Sequence, residues 1–338
     1  MAETKKKQYD NLNVIKIIAA FFVVCIHIRF PGDAGNAVVA VARFAVPFFF
    51  MVSGFFSYYP DSTNLAAKYK RKISHIGVIF AGSFLLYFAY DLLANIMAGS
   101  VSTYLSQKFS ITSILELVLF NHVRVMEALW FLPALIYATL IFYFLEKKGI
   151  TKKLYFLIPV LLLSGILLRE VPEFIRNAPA IMNKAYIYRN FVFVGLPFYM
   201  LGHFIRVNEE KLKDKLTYPL LAVIMLIGTA EAVAVDLLHT QKSVYVGTVI
   251  AVAAFFVLAI KAEGKVKISA LAAMGANYSL YVYTLHILVK NVYERLFGNV
   301  TVIPSALKPI IIFALALIAS AVYFEIKKLF KILRKQEK

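Results

Sequence analysis

The sequence predicts an all-α polytopic membrane protein with about ten transmembrane helices and both termini in the cytoplasm. Three observations predict it. Hydrophobic residues fill 61% of the 338 positions and the mean hydropathy is +0.73, far above the apolar share of a soluble domain. Apolar runs repeatedly reach the length of about 20 residues that spans a bilayer as a helix. The basic residues cluster between those runs, in short connections.

The first run, 12–30, contains NVIKIIAAFFVVCIHIRF. It follows the basic Lys5–Lys7 and has no small-residue cleavage site before FPGD, so it reads as a retained helix rather than a cleaved signal. Lys16 and His27 interrupt it eleven residues apart. Eleven residues make almost three helical turns, so both side chains share a face, roughly 16 Å apart along the axis. The single cysteine, Cys25, lies in the same run. It excludes an internal disulfide framework and a Cys-rich metal site, and reads as a small buried hydrophobe.

The second span, 36–59, carries Arg43 and Ser53; the third, 73–98, follows the basic YKRKI and carries Asp91. The fourth, 127–146, opens on Glu127 and Trp130, a tryptophan at the place where membrane anchors sit. Spans 152–169, 187–206 with Arg189, 217–239 with Asp236, and 243–261 follow. The ninth, 277–297, opens on Asn277, Tyr278 and Ser279 and carries His286 and Lys290; the tenth is 304–327. Two connections are longer. The first, 99–126, contains ITSILELVLF, too short to span and expected to be an interfacial or re-entrant helix; the second is 170–186. No internal repeat, linker or appended soluble domain is expected, so 1–338 reads as one membrane domain.

With both termini inside, 24 basic residues fall in cytoplasmic segments and seven (Arg29, Lys108, Arg124, Arg169, Arg176, Lys184 and Lys242) in outer loops. That asymmetry sets the orientation. It also accounts for the net charge of +18 through anionic cytoplasmic lipid, with no nucleic acid partner.

Charged groups within lipid cost a few kcal/mol and therefore face protein or water. His27, Arg43, Asp91, Glu127, Arg189 and Asp236 fall towards the outer side, Lys16, Ser53, Tyr278 and Ser279 towards the inner, and His286 near the middle. Each has a plainer alternative. Lys16 is near enough to its span's end to snorkel, and His27 is near enough to the boundary to be an interfacial structural histidine. Asp91, Glu127 and Asp236 would pair with Arg43 or Arg189 as structural ion pairs. His75, His122, His203 and His239 receive no role. No segment shows metal-ligand spacing, a phosphate-binding glycine loop or a G-x-S-x-G elbow.

Taken in order, KIIAAFFVVCIH, RFAVPFFFMVSGFF, YKRKI, ALWFLPALI, GLPFYMLGHFI and NYSLYVYTLHILV resemble the acyltransferase-3 family of integral-membrane acyltransferases. The resemblance covers most of the chain. It implies O-acylation of an extracytoplasmic carbohydrate or envelope hydroxyl, with cytoplasmic acyl-CoA, in the first instance acetyl-CoA, as co-substrate and no metal. His27 would be the catalytic group, as general base or as nucleophile. Lys16, Arg71, Ser53, Tyr278, Ser279 and His286 fall on the donor side, the two cations meeting CoA phosphates. Arg43, Trp130, Arg189, Asp91 and Glu127 fall on the acceptor or oxyanion side. One position departs from the family: its first-helix arginine is Lys16 here, which keeps the charge but lacks the planar fork. The rival reading is a transporter or exporter of a small polar solute or saccharide, since intramembrane charge also marks transport paths. Similar helix bundles occur as membrane parts of serine racemases. A membrane sensor or assembly factor is the third reading.

Overall fold

Every regular element among the described residues is helical, which satisfies each segment's backbone hydrogen bonds internally where lipid offers no partner. The structure is a computed structural model that describes residues 9–60, 63–174, 179–239, 244–265, 268–298 and 304–336. Of the residues counted in the charge reading, Lys5–Lys7, Arg176, Lys242, Lys267 and Lys338 lie outside the described residues.

The helices are α1 Asp10–His27, α2 Gly32–Ala42, α3 Ala45–Phe55, α4 Leu65–Met97, α5 Val101–Lys108, α6 Ile111–Phe120, α7 Phe131–Lys147 and α8 Leu157–Phe174. They continue with α9 Leu196–Val207, α10 Glu209–Lys215, α11 Tyr218–His239, α12 Val246–Lys261, α13 Ser269–Asn277, α14 Ser279–Phe297 and α15 Lys308–Gln336.

Among the described residues, seven helical stretches are long and apolar enough to cross a membrane, or eight if Phe191–Val207 is counted with the short helix after it. The chain is a multi-pass membrane protein. The difference from ten has local causes. The stretch expected as 187–206 is broken into a 3₁₀ turn, a π-helical turn Phe191–Gly195 and α9. The α12 helix has 16 residues, and α14 carries Lys290, Glu294 and Arg295 in its second half. The second expected span is counted as one stretch, Gly32–Phe55, but it turns between α2 and α3. Pro47 has no N–H to offer the Arg43 carbonyl, and the chain turns there through Arg43 N–H to Ala40 O (3.4 Å) and Phe44 N–H to Val41 O (3.3 Å).

The contacts form two compact units, Met1–Phe49 with Glu209–Lys338, and Phe50–Asn208. In the first, α1 packs along α13 and α14, α11 pairs with α12, and α14 pairs with α15. Ile17, Ala20, Val24 and Ile28 meet Val282, Tyr293, Ile312 and Ala316 in its core. A side chain at Gly275 would place its Cβ 1.8 Å from the Asn13 carbonyl oxygen, so only glycine lets α13 lie against the α1 backbone. The start of α1 is capped by Glu263, whose carboxylate accepts from the Asp10 N–H (3.0 Å) and the Asn11 N–H (3.1 Å).

In the second unit, α4 packs on α7, and the π turn and α9 pack on α7 and α8. The α6 helix has its polarity reversed relative to a soluble amphipathic helix. Ser113 and Glu116 are buried while Ile111, Ile114, Leu115, Val118 and Leu119 are exposed, as suits a helix that presents its apolar side to lipid.

Candidate functional site

The unbroken α1 helix carries both Lys16 and His27. Lys16 is half-buried. His27 is the last residue of the helix and is exposed. Its ring lies 5.2 Å from that of His286 between centroids, tilted by 43°. His286 is fully buried, and its Nδ1 lies 2.7 Å from the Tyr283 carbonyl oxygen. A carbonyl only accepts, so Nδ1 bears the proton and Nε2 is the basic nitrogen of that ring. Nε2 is buried with no hydrogen-bond partner among the described residues. Two imidazoles thus meet at the end of α1, one reachable and one enclosed.

The other residues predicted for this unit have structural contacts. Ser279 Oγ donates to the Gly275 carbonyl at 2.7 Å, and Tyr278 meets the Phe324 ring edge at 5.6 Å. At the break between α2 and α3, Arg43 Nε lies 3.2 Å from Asp236 Oδ1, which also accepts from Tyr245 OH at 2.7 Å. Asp236 is almost fully buried, so the pair provides the partner that a buried carboxylate needs.

The second unit brings Glu127, Trp130 and Arg189 to one place. The Arg189 guanidinium stacks over the Trp130 ring at 5.5 Å. Arg189 and Glu127 line a pocket of about 520 Å³ together with Lys108, Glu116, His122, Arg124, Lys184 and Tyr186. Its chemistry is organised by Glu116. Arg124 grips that carboxylate with two parallel bonds, Nε to Oε2 at 2.6 Å and Nη2 to Oε1 at 2.7 Å. His122 Nδ1 reaches Oε2 at 2.8 Å, and Tyr186 OH donates to Oε1 at 3.3 Å. On the other side of the imidazole, Nε2 lies 3.4 Å from Glu127 Oε1, and the Tyr186 ring stacks on its face at 4.7 Å.

Local sequence explains this geometry. Asn121 takes the left-handed conformation (φ 60°) at the end of α6, which asparagine tolerates better than most residues. The turn brings the His122 N–H to the Glu116 carbonyl (3.1 Å) and the ring to the Glu116 side chain. Asn121 Oδ1 accepts from the Phe191 N–H at 3.0 Å, tying the two walls together. Asn190 caps the π turn by accepting from the Val192 and Phe193 N–H groups.

The charges tune one another. Glu116 is held at about 2, chiefly by the hydrogen bonds from Arg124, with His122 adding to them. Burial works against an imidazolium at His122, but the hydrogen bonds to Glu127 and Glu116 outweigh it and raise the pKa above the ordinary value. Sequence reasoning passed over Glu116, Arg124, His122 and Tyr186. The signal available was the Glu116…His122 spacing across Asn121.

Three further predicted residues are placed elsewhere. Asp91 is half-buried on α4 and does not line this pocket. Arg71 is exposed, whereas its neighbour Lys72 turns inward and donates to Ser53 O (2.6 Å), Ser57 Oγ (2.7 Å) and Tyr199 OH (3.1 Å). Ser53 thus contributes its carbonyl to that network. The buried Tyr69, Ile76, Ile79, Ser83 and Tyr87 mark the inward face of α4. Lys72 lies on it and Arg71 is rotated about 100° away. Among the described residues no three His, Cys, Asp or Glu side chains converge as a metal site.

Residues 9–325 match the family described as an acyltransferase domain. Two curated relatives, both amino-acid racemases of Enterococcus faecalis, are 28% identical over 305 residues and 26% identical over 226 residues. These alignments cover 84% and 63% of this chain but 41% and 30% of the relatives, so the chain spans less than half the length of either. No solved structure matches. Because the family match runs through nearly the whole chain, the protein belongs to the acyltransferase-3 family of membrane proteins.

Proposed function

We propose that this chain moves an acetyl or other small acyl group from cytoplasmic acyl-CoA to a hydroxyl of an extracytoplasmic carbohydrate or other envelope acceptor. The proposal takes ten spans with both termini cytoplasmic, as the basic connections favour. Within the acyltransferase family, the observation that carries it is the exposed His27 ring beside the enclosed His286 ring.

In the direct route His27 takes the acceptor hydroxyl proton as the oxygen attacks the thioester carbonyl. The C–S bond breaks and the departing CoA sulfur receives the proton. In the two-step route His27 attacks first, the C–S bond breaks and the imidazole proton passes to the CoA sulfur; the acceptor oxygen then displaces the imidazole, which takes the hydroxyl proton. His286 acts as a positioning residue that orients the His27 ring. Lys16 supplies a charge for a CoA phosphate, and the exposed Arg71 is a second phosphate contact. Trp130, Arg189 and Glu127 form the acceptor wall.

The test supplies purified protein with labelled acetyl-CoA and cell-envelope extract and follows thiol release and labelled product. Transfer by the wild type and none by His27→Ala is the expected result. No CoA release from any acyl donor would overturn the proposal.

A second reading is favoured by the relatives, which are amino-acid racemases. In it the bundle moves a small polar solute, such as an amino acid, across the membrane. Acceptor-independent uptake into proteoliposomes, with no need for a CoA ester, distinguishes it.

A further inference from the structure

We infer that the pocket built on Glu116 and His122 binds the carboxylate or phosphate of a small acidic molecule. The inference rests on the reading of this pocket as the acceptor's, and it narrows the acceptor to an acidic one. The pocket's lining carries four Lys or Arg side chains, Lys108, Arg124, Lys184 and Arg189, against Glu116 and Glu127. Glu116 is spent internally, since Arg124 holds both its oxygens and His122 and Tyr186 add further bonds. That leaves one carboxylate, Glu127, with 70% of its side chain exposed, facing the remaining positive charge.

His122 adds to that charge. Its Nδ1 is anchored on Glu116, so a protonated ring directs its second N–H towards Glu127 across 3.4 Å. At this distance the hydrogen bond to Glu127 is long, and an incoming anionic oxygen would compete for that donor. The Arg189 guanidinium lies over the Trp130 ring at 5.5 Å, and a guanidinium offers a planar fork for carboxylate or phosphate. A neutral sugar would need the hydroxyl partners but not the excess charge, and a cation would be repelled. About 520 Å³ suits a small solute or one charged sugar rather than a polymer.

Binding is therefore tied to the protonation of His122. The charged and titratable groups that line the pocket around it are Lys108 from α5, Glu116 from α6, Arg124 from the following turn and Glu127 from the 3₁₀ turn before α7. Lys184, Tyr186 and Arg189 come from the 183–189 segment. Above the raised pKa of His122 the ring loses its charge, and affinity should fall.

The experiment uses the whole protein in lipid nanodiscs with ¹⁵N-labelled histidine and no acyl donor, so its outcome is independent of transfer. Of six histidines, the His122 resonance is identified by its loss in His122→Gln. Inorganic phosphate and acetate are titrated separately against chloride at matched ionic strength. The expected result is a saturable shift of the His122 signal by at least one of them. It should weaken about tenfold in Arg189→Gln, the loss of one charge-assisted contact, and weaken as pH rises. Phosphate alone, acetate alone or both would say which acid the pocket reads. A shift no larger than with chloride would overturn the inference. So would unchanged affinity in Arg189→Gln and in Lys184→Gln, the latter at an exposed position where folding is not at stake. Intact anion binding with no transfer activity would defeat the acyltransferase proposal alone.

Discussion

The histidines at the end of α1 and the histidine after α6 occupy opposite environments. His286 has a backbone carbonyl and another imidazole as neighbours and is fully buried. His122 lies between two carboxylates, one anchored and one exposed. Under the proposed function, the first arrangement supplies one ring, His27, that exchanges a proton with a reacting group. The second favours a positive charge on the ring, which under the inference above a ligand completes. The difference teaches that a histidine's use is set by what satisfies its second nitrogen. A carboxylate favours the cation, and a partner that only accepts from the other nitrogen leaves a basic nitrogen free for a base's role.

The largest expected effect tests that division. His27→Ala should lower acyl transfer at saturating acceptor by about 10²- to 10⁴-fold, the usual contribution of a general acid or base. His122→Ala should act mainly on acceptor KM. An equal loss of kcat in both variants, read by thiol release, would erase the distinction.

Next in size is Arg43→Ala, which strands the buried Asp236 carboxylate and should cost about 3–5 kcal/mol. Thermal unfolding in nanodiscs measures it, and Asp236→Asn in the same background should recover part of the loss.

Glu116→Gln sharpens the comparison through pH. Because the Glu116 carboxyl is held at about 2, its contribution to stability is present above the ordinary carboxylate value and is lost as pH falls towards 2. His122 has the opposite sign: its raised pKa stabilises below about 6.5 and that contribution fades as pH rises through the raised value. The wild type should therefore lose stability at both edges of this window. Glu116→Gln should flatten the acid side and weaken the alkaline-side dependence. Melting temperatures across pH would show a single unchanged slope if the pairing were idle.

The smallest effect concerns Lys16. Lys16→Ala should raise the acyl-CoA KM about tenfold, the loss of one charge-assisted contact, while Lys16→Arg should keep it within about threefold. An unchanged KM in Lys16→Ala would move the donor phosphates elsewhere.

Much of the first site was legible because it lies on periodic helices. Eleven residues between Lys16 and His27 imply one face wherever the helix goes, and the structure keeps that helix whole. The charged residue of the second span, Arg43, was legible as an intruder in lipid, and it does meet Asp236, one of the carboxylates expected to need a partner. The pocket was not legible in the same way. Glu116 belongs to ITSILELVLF, an apolar string whose expected role was interfacial, and His122 stands in a connection with no period. Their meeting depends on the left-handed turn at Asn121 and on Arg124 folding back. In YKRKI the sequence offers four polar neighbours, and only the packed face of α4 separates the inward Lys72 from the exposed Arg71.

Composition, the length of the apolar runs and the placement of basic residues by themselves determined that this chain is an α-helical membrane protein, because unbroken apolar runs of about 20 residues span lipid as helices that meet their backbone bonds internally. Motif order pointed to its family, and helical period put Lys16 and His27 on one stripe. Tertiary structure alone decided which charges were paired within the protein. Ion pairing depends on distances between segments remote in sequence, and an ångström or two separates a satisfied carboxylate such as Glu116 from an exposed one such as Glu127.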